Sequence, residues 1–191
     1  LQKAGIGFDA TAFRFTRMHE EIERHIERSG LRWTHFRPSQ FMQVYLREAP
    51  SIARGTLALA LGEIEMAPVD LQDVAQIASR IVMSDDVDSE SFQITGPEAL
   101  TMNQVAAILS RTIDRPVSYV PLSIEERSQR LLAAGAPPIF VAALEEQAAE
   151  RLRRPRARVC LSTHERFGVK PTTFAEFAIR HANVLSGQAA N

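Results

Sequence analysis

Apolar residues recur at helical spacing over residues 15–29, at Phe15, Met18, Ile22 and Ile26, which predicts a helix with one buried face. Gly30 follows, and a glycine just past a last turn takes the left-handed conformation at least cost. Residues 31–36, Leu31-Arg32-Trp33-Thr34-His35-Phe36, read as a short strand that Pro38 ends. Residues 39–47 carry Phe41, Met42 and Leu46 at the spacing of a short helix. Residues 56–61 form an apolar, strand-like run. Asp70 is placed to cap a helix whose stripe runs through Leu71, Val74, Ala75, Ala78, Ile81 and Val82, with Asp73 beside it at the positive end of the helix dipole.

The second half continues the alternation. Residues 91–94 alternate in character, as a half-buried strand does. Thr101-x-x-Gln104 is a capping box, opening a helix with Met102, Val105, Ala106 and Leu109 inward. Residues 117–122 predict a strand, and Pro116 and Pro121 put it at a sheet edge, where a missing N–H costs least. From there the pattern is helical. Ser123-x-x-Glu126 opens one helix, and Pro137 or Pro138 opens another that runs towards Arg151. Ser162-x-x-Glu165 and Thr173-x-x-Glu176 predict two more capped helices, the last carrying Phe174, Phe177, Ala178 and His181. Strands alternating with helices, then a helical tail, indicate an α/β parallel-sheet fold with a small C-terminal lobe. We divide the chain at residues 1–115 and 116–191.

Composition narrows the possibilities. The 191 residues are 45% hydrophobic and 24% charged, enough for one packed domain and a small appendage. A net charge of −1 gives no general electrostatic grip on nucleic acid. No apolar run approaches the length of a membrane span. The single cysteine, Cys160, excludes an internal disulfide and suits a reducing cytoplasm; between Val159 and Leu161 it reads as a small packing residue. The first residues, Leu1-Gln2-Lys3-Ala4, lack an initiator methionine and a signal-peptide pattern, and read as the interior of a longer protein.

No G-x-G-x-x-G follows any strand-like run, and Gly5 and Gly7 precede the first clear helix without a strand before them. His164 and His181 are isolated, and no His, Cys, Asp or Glu grouping has metal-ligand spacing in the sequence. A serine hydrolase is not supported, because no G-x-S-x-G elbow exists. One charge cluster stands out: Arg151, Arg153, Arg154, Arg156 and Arg158. It reads either as a solvated strip or oligomer contact, or as a site for a nucleotide phosphate or acidic partner.

Five segments in order resemble the NmrA-like branch of the atypical short-chain dehydrogenase/reductases. They are His19-x-x-x-Glu23; Ser29-Gly30-Leu31-Arg32-Trp33-Thr34 with Arg37-Pro38-x-x-Phe41-Met42; Pro68-Val69-Asp70-x-x-Asp73-Val74-Ala75; Gln93-Ile94-Thr95-Gly96-Pro97-Glu98-Ala99-Leu100; and Phe167-Gly168-x-x-Pro171-x-Thr173-Phe174-x-Glu176-Phe177. The resemblance covers residues 15–180. It implies a Rossmann-like domain that binds NAD(P)H, with a smaller lobe on the substrate side. The glycine-rich loop and ribose-selecting residue would precede Leu1, in a segment on the order of 100 residues.

Short-chain dehydrogenases use a Tyr-x-x-x-Lys pair, and at the matching helix this chain has His19-x-x-x-Glu23. A spacing of four keeps both side chains on one helix edge. Histidine still transfers protons near neutral pH, so the resemblance implies His19 as the catalytic proton carrier. Pro38 and Phe41, beyond a strand's carboxyl end, and Glu23 are the implied cofactor-binding contacts. Arg37 reads as a salt-bridge partner within the fold. The family usually has an apolar residue at His35 and often asparagine near Val44, so the pocket floor is altered here. The implied activity is hydride transfer from NAD(P)H to a small electrophile such as a quinone or azo compound. A nucleotide-sensing regulator and a chain unable to bind dinucleotide remain alternatives. The expected partner is a small molecule, with a homo-oligomer possible and neither nucleic acid nor membrane involved.

Overall fold

A computed structural model of the chain describes residues 14–188. Gly5 and Gly7 lie outside the described residues. The elements in order are α1 (Arg14–Glu27), β1 (Thr34–Pro38), α2 (Val44–Arg47), α3 (Ala49–Ile52), β2 (Thr56–Leu59), β3 (Glu65–Met66), α4 (Leu71–Val82) and β4 (Glu90–Ile94). There follow β5 (Leu100–Thr101), α5 (Met102–Thr112), β6 (Ser118–Pro121), α6 (Ile124–Ala133), α7 (Pro138–Arg153), α8 (Ser162–Arg166), α9 (Phe174–Arg180) and α10 (Ala182–Leu185).

The strands form three short pairs. β1 runs parallel to β4, from Thr34 beside Glu90 to Pro38 beside Ile94. β2 runs parallel to β6, and β3 antiparallel to β5. A parallel pair needs a crossover, and α4 supplies it between β1 and β4. Its inner face, Val74, Ile77 and Ile81, packs with Phe92 and Ile94 of β4 and with Val69 and Val169. A larger core joins Tyr45, Ile52 and Leu57 to Met102, Val105 and Leu109 of α5 and to Phe174 and Phe177 of α9. The core thus recruits the C-terminal segment, and β6 pairs with β2 across position 115.

Local signals within one turn of a helix mostly hold. Asp70 caps α4 by accepting from Gln72 N–H, and Thr101, Ser123 and Thr173 each form a complete capping box. All four inward positions expected on α5 are buried.

Other expectations need correction. α1 buries no residue; Met18, Ile22 and Ile26 are 51%, 56% and 37% exposed, since no described element covers that face. β1 starts three residues later than expected and includes Pro38, tolerated because the strand's last N–H bond falls to Ser39, which donates to Ile94 O at 2.9 Å. The helix expected over residues 39–47 shrinks to the single turn of α2, because residues 40–42 are drawn into extended pairing with Val69. On α4, Leu71 and Val82 face solvent, whereas Asp73 is buried and accepts from both the N–H and the hydroxyl of Thr172. Ser162 caps nothing: it lies inside α8, whose N-cap is Leu161. Cys160 belongs to no core cluster, and its Sγ sits 3.4 Å from the Ser162 hydroxyl. His164 is buried instead, with its ring nitrogens 3.3 Å from Val169 O and 3.1 Å from Thr95 O, and so ties α8 to β4.

Candidate active site

A cavity of about 900 Å³ opens at the carboxyl ends of β1 and β4, where parallel α/β sheets bind their ligands. Three parts wall it. The first turns of α1 contribute Phe15, Thr16 and His19; the segment after β1 contributes Pro38, Ser39, Gln40 and Phe41; and α6 and α7 close the far side with Leu131, Phe140 and Leu144. α1 and α7 are clamped together by Arg14, whose backbone N–H and guanidinium both reach the Glu146 carboxylate, at 3.0 and 2.7 Å. The size suits a drug-sized or nucleotide-sized group.

His19 from α1, and Pro38 and Phe41 from the end of β1 and the segment after it, therefore line one cavity. His19 is exposed, lines the space and makes no hydrogen bond to any described residue. Glu23, one turn further along α1, is not part of the lining. Both its oxygens are taken by Arg37, with Nε at 3.1 Å and Nη2 at 2.9 Å. Arg37 is thus the internal salt-bridge partner expected of it, and the pair locks α1 onto β1 beside His19.

His35 lies off the cavity: it is buried, stacks on Trp33 with centroids 4.3 Å apart, and sets Nε2 3.2 Å from Glu27 Oε1. Val44 does line the cavity. The fold brings Glu23, Glu27 and His35 within 4.8 Å of one another, a grouping invisible in the sequence because β1 supplies one member and α1 the other two. Arg37 neutralises Glu23 there, and the His35–Glu27 contact is a hydrogen bond, so the three side chains are already engaged within the fold.

Of the two readings of the arginine cluster, the fold places most of its members at the cavity, and it adds three arginines from elsewhere that the sequence did not group with them. Arg151, Arg154, Arg156 and Arg158 all line the cavity, joined by Arg47, Arg127 and Arg130 from α2 and α6. The clustering of arginines after residue 150 was the available signal; which way they turn was not legible. Arg153 alone of that run is not part of the lining; it pairs with Glu150, which the lining Arg154 also meets.

No family model matches the chain. It is 32% identical over 163 residues to the NAD(P)H azoreductase of Xenophilus azovorans, covering 85% of this chain and 57% of that protein. It is 33% identical over 180 residues to the (4-alkanoyl-5-oxo-2,5-dihydrofuran-3-yl)methyl phosphate reductase of Streptomyces griseus, covering 93% of this chain and 63% of that protein. The chain thus spans about three fifths of the length of these relatives. Among solved structures it superposes on the NADPH-dependent quinone oxidoreductase of Escherichia coli with a TM-score of 0.77 at 23% identity, over 89% of this chain and 62% of that one. The Citrobacter sp. triphenylmethane reductase complexed with NADP(H) also gives 0.77, at 16% identity over 93% of this chain and 63% of that one.

The chain has a Rossmann-like α/β fold. Among the described residues no helix is long and apolar enough to cross a membrane.

Proposed function

We propose that the protein is an NmrA-like NAD(P)H-dependent reductase, and that it transfers hydride to a small electrophile such as a quinone or azo compound. One observation carries this reading: His19, Pro38 and Phe41 converge on a cavity of about 900 Å³ at the carboxyl end of a parallel strand. The two named relatives, an NAD(P)H azoreductase and a reductase of a dihydrofuranylmethyl phosphate, are both named as reductases of small molecules and support it.

The described residues fit one end of the cofactor only. Pro38 and Phe41 offer apolar surface of the kind a nicotinamide ring packs on. The pyrophosphate end needs a glycine cradle at a helix N-terminus, which no described element offers. When bound, NAD(P)H supplies a hydride, two electrons and one hydrogen, so that a quinone becomes a hydroquinone on taking up one further proton. The protein's own tasks are orientation, exclusion of water and delivery of that proton. His19 holds it on a ring nitrogen facing the cavity. Glu23 acts through Arg37 as a positioning residue, fixing the helix that carries His19. The lobe from residue 116 onwards, chiefly α6 and α7, forms the substrate side.

A regulator that binds the nucleotide without turnover is the second reading. It is favoured by the engagement of Glu23 with Arg37, which leaves no cation on α1 at the place where short-chain dehydrogenases hold the ribose with lysine. The test uses the purified full chain, titrated with NADPH and NADH by fluorescence and then assayed with 1,4-naphthoquinone. Saturable binding with NAD(P)H oxidation, reduced in His19→Ala, supports the reductase. Binding without oxidation favours the regulator, and absence of binding removes both.

A further inference from the structure

The chain as a whole carries a net charge of −1, yet this cavity is walled by eight arginines and two glutamates. Both glutamates are spoken for within the wall, Glu48 by Arg127 at 2.8 Å and Glu65 by Arg156 at 2.5 Å. Arg37 and Arg154 are paired with Glu23 and Glu150. That leaves Arg47, Arg130, Arg151 and Arg158 with no carboxylate partner among the described residues.

Arg151 is the most demanding of the four. Its Nη1 donates to Gln40 Oε1 at 3.0 Å, while its Nε is buried with no acceptor among the described residues. A guanidinium has five N–H donors, and leaving a buried one unmatched is costly unless something else supplies the acceptor. Burial pulls the group down only to about 10, so it remains cationic at neutral pH. The neighbouring Tyr45 phenol is pushed upwards by its own burial and stays neutral, so it contributes no counter-charge. Helix-end chemistry does not account for the placement. Arg153 and Arg154, at the same end of α7, answer Glu150, but Arg151 turns to Gln40, two residues beyond Pro38. The unmatched cation on α7 therefore contacts the loop that carries the proposed reactive end.

We infer that this wall is a subsite for an anionic group on the substrate, a phosphate monoester, sulfonate or carboxylate, with Arg151 as the inner contact and Arg130 and Arg158 nearer solvent. The inference rests on the reductase reading. A planar guanidinium fork matches such oxyanions in bidentate fashion, which lysine would not. The pyrophosphate of a dinucleotide is a competing oxyanion, but this fold holds it at the glycine cradle, away from the helical lobe.

The experiment compares two substrates in the full chain, 1,4-naphthoquinone and its 2-sulfonate, with wild type, Arg151→Gln and Arg158→Gln. Using the variant-to-wild-type ratio for each substrate cancels their intrinsic difference in reactivity. The expected result for the sulfonate is a loss in kcat/KM of about tenfold in Arg151→Gln and about threefold in Arg158→Gln, mostly through KM, with the neutral quinone within about twofold. Inorganic phosphate should compete against the sulfonate in wild type. Arg158 is exposed and bonds to no described residue, so its variant reads the charge even if Arg151→Gln folds poorly. Equal losses on both quinones, no loss on either, or weakened NADPH binding in place of weakened sulfonate use would each overturn the inference. Should wild type reduce neither quinone, the reductase reading fails by itself. Calorimetric binding of the sulfonate then decides: an affinity that drops in Arg151→Gln supports the anion subsite, and an unchanged one overturns it.

Discussion

Glu23 and Arg37 meet in a two-point contact between α1 and β1, carboxylate to guanidinium, each with less than a fifth of its side chain exposed. The pair stands between His19 and the end of β1, so it sets where the first turns of α1 sit relative to the cavity. Replacing Glu23 by Gln leaves a half-buried cation without a counter-charge and should cost about 2 kcal/mol by denaturant unfolding. If Glu23 positions His19, the variant should lower kcat more than it raises KM, and the charge-swapped pair Glu23→Arg with Arg37→Glu should recover part of the loss. An unaltered kcat in a folded Glu23→Gln protein would remove the positioning role.

Asp73 ties α4 to the tail. Its carboxylate accepts from Thr172 N–H and from Thr172 Oγ1, both at 2.7 Å, across ninety-nine positions of chain. Hydrogen bonds to a buried charge are among the stronger ones, so Asp73→Ala should lose about 3 kcal/mol and Thr172→Val about half of that. Hydrogen exchange should show the α9 amides opening first. Equal protection of α9 in mutant and wild type would mean that the tail is held by Phe174 and Phe177 alone.

Gly96 follows β4, and a Cβ there would meet Pro68 O at 1.9 Å, a backbone atom that cannot swing aside. Gly96→Ala should cost about 3 kcal/mol or more. Gly30→Ala is the control: the residue has φ +79°, but a Cβ would meet nothing within 4 Å, so only the left-handed strain of about 1 kcal/mol is expected. Thermal melts of the two variants should differ clearly in midpoint.

At the start of α9, the Lys170 ammonium first, then the backbone and hydroxyl donors of Thr173, hold the Glu176 carboxyl at about 2, down from an ordinary 4.5. Arg166 lowers Glu90 in the same direction. A carboxyl whose value falls on folding adds stability above its unfolded value and loses it as pH drops through the folded one. Stability should therefore decline between about pH 4.5 and 2. Glu176→Gln should flatten that part of the profile while leaving neutral-pH behaviour of the cavity intact, as followed by urea unfolding at a series of pH values.

What was legible in the sequence was short-range. The capping boxes at Thr101, Ser123 and Thr173 emerged as expected because donor and acceptor lie three residues apart, and no distant segment need intervene. Ser162 had the same pattern and failed, because the helix begins one residue earlier there and the backbone at Cys160 is bound to Thr95 Oγ1 instead. The stripe of α1 was legible as a period but not as a burial, since period states only that one face is apolar and not that anything covers it.

By itself, then, the sequence determined the capped starts of α4, α5, α6 and α9, the alternation that makes the fold α/β, and the grouping of arginines after residue 150. Only the tertiary structure decided what those charges do. Arg151 and Arg153 are the same residue type two positions apart, yet about 200° apart around α7, so one turns to Gln40 on the cavity and the other to Glu150. That choice depends on a contact spanning 111 positions of chain. A local pattern records which residues share a face; which face meets a cavity is settled by the packing of α7 against α1, α6 and the loop after β1.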